Sequence, residues 1–140
     1  MEIIAGGGDV STTEESFTAD VIDAPYFLIS LRFFEVAQMF EKSLQHKRLR
    51  LRNLEKEIAR LYLLPTIEHV DCLSEQCEYT NNGAIISKLV LEREKVRYWD
   101  IFKIPDTRVP NGAVVISLEL AESLLRRGIH HFKLQELDLA

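Results

Sequence analysis

Cysteine is scarce: Cys72 and Cys77 are the only two in 140 residues, too few for a disulfide scaffold. With no apolar leader before them, they predict a reducing, intracellular setting, cytoplasmic or nuclear. No apolar run approaches the roughly 20 residues of a membrane span, so no membrane contact is expected. Gly6, Gly7 and Gly8 lack both the following Gly-Lys-Ser/Thr and the preceding strand of a phosphate loop. No serine elbow, cysteine-glycine motif or carboxylate pair marks a catalytic centre. The sequence therefore predicts a protein that is not an enzyme and needs no cofactor.

Basic residues are absent from the first thirty positions, where Glu2, Asp9, Glu14, Glu15, Asp20 and Asp23 stand alone. That segment supplies the whole net charge of −5, because residues 31–140 hold 17 bases against 16 acids. With its three glycines and a Ser/Thr/Glu stretch, 1–20 reads as an acidic flexible tail. The bases concentrate instead in 42–60, where seven face only Glu55 and Glu57. An acidic arm before a basic segment permits self-screening or the binding of an external polyanion.

Proline and glycine are missing from Leu31 to Leu64. Ser30 can cap a helix opening at Leu31, and Pro65 would end it. Within this span Phe33, Ala37, Phe40, Leu44, Lys47, Leu51, Leu54, Ile58 and Leu61 fall at heptad spacing. Such a stripe predicts a coiled-coil seam, filled by a second copy, another protein or the same chain, the alternative being a helix that breaks around Gln45 to Arg48. Lys47 is its one polar position and would set register. The expectation is thus an extended lead-in and a long amphipathic helix over 21–65, followed by a small α+β domain over 66–140.

In that second part, Asn82-Gly83 and Asn111-Gly112 are tight-turn dipeptides. Glu78 to Thr80, Ala84 to Leu91, Val96 to Ile104 and Ala113 to Ser117 then read as strands of an antiparallel meander. A single helix over 84–102, with Ile85, Leu89, Val96 and Trp99 near one face, is the alternative. Ser117 reads as the N-cap of a helix carrying Leu118, Ala121, Leu124 and Leu125, with Gly128 as its left-handed cap. His131, Lys133 and Gln135 alternate with Phe132 and Leu134, as a closing strand would.

Three constellations are weighed for chemistry. His69, Cys72 and Cys77, with Glu75 or Glu78, have the wrong spacing for structural zinc, so no metal is expected. His130-His131 has no nucleophile to serve. The basic run supplies Arg48, Arg50, Arg52 and Lys56 as candidate nucleic-acid contacts. On a helix, Arg48, Arg52 and Lys56 would be neighbours while Lys47 and Arg50 lie elsewhere. Tyr98 and Trp99, in the densest aromatic cluster, are candidates for a second protein-binding surface.

Residues 111–134, with a hairpin, the helix Leu118 to Gly128 and a closing strand, resemble in layout the small β-rich domain of GINS replication-complex subunits. The likeness covers under a fifth of the chain, and the heptad-bearing half departs from that family's larger helical domain. A long helix before a small α+β domain is also similar to the layout of kinetochore and other adaptor subunits. The combined expectation is an α+β adaptor that oligomerises or docks through Phe33, Phe40, Leu44, Leu51, Leu54 and Ile58, with Tyr98 and Trp99 as a second surface. Its rival is a DNA-binding or other nucleic-acid accessory protein using the basic segment.

Overall fold

The structure, a computed structural model, describes residues 19–22, 26–53, 57–109 and 114–140. Along the chain lie β1 (Val21–Ile22), β2 (Leu28–Ile29), α1 (Leu31–Phe40), β3 (His46–Asn53), β4 (Ile58–Pro65), β5 (Glu78–Thr80), β6 (Ile85–Lys88) and β7 (Val90–Leu91). They are followed by α2 (Arg93–Val96), β8 (Ile101–Lys103), β9 (Val114–Ile116), α3 (Leu118–Arg126) and β10 (Asp138–Leu139). Strands outnumber helices, and the sheets are small and mainly antiparallel. None of the helices is long and apolar enough to cross a membrane, among the described residues.

This corrects the expected α+β architecture with a long heptad helix. Ser30 does cap α1, its hydroxyl accepting the Phe33 N–H at 3.2 Å. The helix then stops at Phe40, and the chain turns into the antiparallel pair β3 and β4, in register from His46↔Pro65 to Asn53↔Ile58. Two local patterns explain the outcome. Arg48-Leu49-Arg50-Leu51-Arg52 alternates with the period of a strand, and Leu61-Tyr62-Leu63-Leu64 is a continuous apolar run suited to a strand flanked on both sides. The sheet order β1-β2-β4-β3 places β4 inside and β3 at the edge.

Two stretches of the chain repeat one plan. In the first, Asp20 precedes β1, β1 pairs with β2, and Ser30 caps α1. In the second, Asp100 precedes β8, β8 pairs with β9, and Ser117 caps α3. The residue after each aspartate faces the residue before each serine, Val21↔Ile29 and Ile101↔Ile116. Each serine N–H donates to its aspartate's carbonyl at 2.9 Å, and each hydroxyl donates to that carboxylate at 2.7 and 2.8 Å. The tripeptide Ile-Ser-Leu recurs at 29–31 and 116–118.

The side chains obey the same rule. Phe33, Phe34, Val36 and Ala37 are buried in α1, and Leu120, Ala121, Ser123 and Leu124 stand at the matching positions of α3. The two helices pack together. Val21, Ile29, Ile101 and Ile116 join them in one central core, while their strand neighbours face the other way. Ile22 and Leu28 form an outer cluster with Tyr62, and Phe102 and Val115 form another with Cys72, Leu91 and Val96. This is what a period of two requires when a hairpin is covered on both faces.

Other elements depart from the sequence expectation as well. Asn82-Gly83 lies in a four-residue loop between Thr80 and Ile85, with φ of +52° at Asn81, +57° at Asn82 and +86° at Gly83. Asn111-Gly112 lies outside the described residues. Residues 84–102 form neither a single helix nor two long strands but β6, β7 and the one-turn α2 before β8. The closing strand is not 131–135: it is β10, which pairs parallel to β7 through Asp138↔Val90 and Leu139↔Leu91. The tail expected over 1–20 falls outside the described residues up to position 18, whereas Asp20 is fully buried.

Candidate nucleic-acid interface

Because β3 is a strand, its even-numbered side chains share one face and its odd-numbered ones the other. Arg48, Arg50 and Arg52 are thus neighbours on a single face, spaced about 6.8 Å apart. All three are exposed. Among the described residues, none of them makes a side-chain hydrogen bond or ion pair. The exposed Arg97 and Arg108 differ, being held by Glu94 at 2.9 Å and Asp106 at 2.8 Å.

The opposite face carries the outer cluster, built from neighbouring strands of the same sheet. Leu49 and Leu51 are half-buried and pack with Leu64 against Ile22, Leu28 and Tyr62. Tyr62 is fully buried, its hydroxyl donates to the Ala19 carbonyl at 2.9 Å, and Arg60 lies 5.2 Å from its ring centre. The arginine face is the one the sheet turns toward the central core: Arg48 stands opposite Leu63 and Arg50 opposite Leu61, which pack in and against that core, and Phe34 of α1 meets the His46 ring at 4.3 Å. Since β2 joins β4 only at Ile29↔Leu63, the far half of the pair is a two-stranded ribbon. At about 3.4 Å per residue the whole β3–β4 pair is about 27 Å long, against about 15 Å for α1.

The remaining sequence candidates are scattered. Phe33 and Leu44 are buried in the central core, and Phe40 packs against it half-buried. Leu51 belongs to the outer cluster beneath the ribbon. Leu54 and Lys56 lie outside the described residues, and Ile58 is placed only through its backbone pairing with Asn53. Tyr98 is 77 % exposed under the Arg97 guanidinium, 4.6 Å from its ring centre. Trp99, its neighbour, is half-buried against the cluster of Phe102 and Val115. Among the described residues, no single face collects these side chains into a seam.

Both cysteines are free thiols and buried. Burial, helped by the Asp71 charge, pushes the Cys72 thiol up to about 12, so it stays protonated and a poor nucleophile near neutrality. Cys77 is buried too, its sulfur donating to the Val90 carbonyl at 3.1 Å and accepting the Val90 N–H at 3.3 Å. No group of three or more His, Cys, Asp or Glu is placed to hold a metal, among the described residues. A cleft lined by Glu41, Leu44, Glu68 and Trp99 has a volume of about 60 Å³, far below the several hundred Å³ usual for a small-molecule site. His131 serves through its backbone, its N–H donating to the Asp20 carboxylate at 3.1 Å and its carbonyl accepting the Asp20 N–H at 2.9 Å.

The arginine face is hidden from a helical reading of the sequence, which spreads its residues around the helix axis. Its signal is the alternation from Arg48 to Arg52, which in a strand sets Arg50 beside Arg48 and Arg52, where a helix would part it from them. No protein family, curated protein or solved structure matches this chain.

Proposed function

We propose that this protein is a non-enzymatic nucleic-acid-binding protein whose β3–β4 ribbon grips the phosphate backbone. One observation carries the reading: Arg48, Arg50 and Arg52 form an exposed row on an edge strand, without acidic partners among the described residues. Six bases, Lys47, Arg48, Arg50, Arg52, Lys56 and Arg60, stand against Glu55 and Glu57 in 46–60, so a positive field surrounds the ribbon in an acidic protein. The buried, protonated Cys72 thiol supports a binding role over nucleophilic chemistry at that residue. The adaptor reading loses the helix on which its seam depended.

The test is a titration of a fluorescent duplex by anisotropy across a salt series. Three phosphate contacts predict a log–log slope near −2.7, or about a 40-fold loss of affinity between about 50 and 200 mM salt. The triple variant Arg48→Gln, Arg50→Gln, Arg52→Gln loses that binding while keeping the wild-type circular dichroism spectrum. Binding that ignores salt, or a folded triple variant that binds as well as the wild type, would sink the proposal.

A further inference from the structure

The outer face of the β1-β2-β4-β3 sheet is buried more deeply than its described neighbours explain. A period of two puts Ile22, Leu28, Tyr62, Leu49 and Leu51 on that face, away from the central core and its helices. Side chains stand upright on a sheet, so neighbours in the same sheet shield their flanks and leave their tips to whatever lies above. Ile22, Leu28 and Tyr62 are nevertheless 2 %, 4 % and 0 % exposed. Of the described apolar residues packed with them, only Ala19 comes from outside the strands. The burial is also graded. It is complete at Tyr62, whose hydroxyl donates to the Ala19 carbonyl at 2.9 Å, and falls to half at Leu49 and Leu51 on the edge strand. The cover therefore starts where Ala19 sits.

We infer that this face is the docking site of residues 1–18 of the same chain, a segment that lies outside the described residues and joins them at Ala19. Its composition fits the surface. Val10 and Phe17 supply apolar side chains for Ile22, Leu28 and Tyr62, and Glu14 and Glu15 stand between them in sequence, with no base anywhere in 1–18. Lys47 and Arg60, opposite Leu64 and Leu51 in the register, share the outer face and carry the complementary charge. The reach fits too. Strand spacings of about 4.8 Å make a four-stranded sheet about 14 Å wide, whereas the chain from Ala19 back to Val10 extends up to about 30 Å. The acids are thereby held on the face opposite Arg48, Arg50 and Arg52.

The test uses the full chain at high dilution. Carbodiimide coupling of the wild type, which needs no variant to fold, followed by peptide mass mapping is expected to join Glu14 or Glu15 to Lys47 within the monomer. Phe17→Ser lowers the urea midpoint by about 1 M and raises the fluorescence of an added apolar dye severalfold. Tyr98→Ser, which removes an exposed ring, leaves both unchanged. Coupling that spares Lys47 while other lysines react overturns the docking. So does a link found only in species of doubled mass, because a second copy then supplies the segment. An unchanged midpoint and dye signal in Phe17→Ser overturns it as well, since the cover would then lie elsewhere. Neither readout involves nucleic acid, so none of these outcomes bears on that reading.

Discussion

Asp20 and Asp100 hold equivalent places in the two strand-strand-helix units, yet their surroundings differ. Asp20 is sealed from water, and its carboxylate accepts from the Ser30 hydroxyl, twice from Arg32 and once from the His131 N–H. Asp100 is half-buried, and the Ser117 hydroxyl is its partner at 2.8 Å, while its own N–H donates to Glu41 at 3.0 Å. The switch is one helix position: where α1 has Arg32, α3 has Glu119. The two helices also lead to different places, α1 into the long basic ribbon and α3 into a short segment ending at β10. The shared plan accounts for the scaffold, and the unshared ribbon carries the candidate site.

The largest expected effects strike what the units share. Phe33→Ala and Leu120→Ala remove matching residues of the central core, 1 % and 0 % exposed. Each should cost about 3 to 5 kcal/mol in urea denaturation, with similar losses if the units are equivalent in packing. A cost under about 1 kcal/mol at either site would break the equivalence.

The aspartates sharpen the contrast at a smaller scale. Asp20→Asn should cost about 2 to 3 kcal/mol and Asp100→Asn about 1 kcal/mol, in line with the number of charge-assisted bonds lost. Burial alone would push the Asp20 carboxyl up, but Arg32, Ser30 and the His131 N–H outweigh it and hold it below the ordinary value of 3.8. A depressed carboxyl stabilises the fold above its unfolded-state pKa, and that stability fades as pH falls through the folded value. The gap between wild type and Asp20→Asn should therefore be constant near neutrality and shrink below about pH 4. A gap that stayed unchanged down to about pH 2 would place the effect in packing.

Converting the second unit toward the first is the smallest test. Glu119→Arg offers Asp100 a guanidinium but removes an acid from the first turn of α3, where it favours the helix dipole. With Asp100 only half-buried, the net change should stay within about 0.5 kcal/mol. A gain as large as the Asp20→Asn loss would mean that exposure does not separate the units.

How much of this is legible in the sequence depends on the range of the signals. Ser30 and Ser117 announce α1 and α3 because a helix cap is a local device, satisfied within three residues. The ribbon is masked because Asn53 to Glu57 contains neither glycine nor proline, although Glu57 adopts a φ of +51°. Without a visible turn, the leucines at 44, 51 and 61 fit heptad spacing, and the strand alternation between them is overridden. The repeat stays hidden because its common residues are few: two aspartates, Ile-Ser-Leu, and apolar positions that vary in size. Only the pairing of Val21 with Ile29 and of Ile101 with Ile116 makes them align.

The position of β3 at the sheet edge has one more consequence. A strand eight residues long whose outer edge is unpaired among the described residues is a template on which a second copy can add its own edge, the step that begins ordered aggregation. Here antiparallel addition of a second β3 would bring arginine rows into opposition, with side-chain roots about 5 Å apart and repelling. The same charges that could draw in a polyanion thus keep the molecules apart. Neutralising them, by substitution or by a bound counter-charge, removes the guard and leaves the edge free to recruit its own kind.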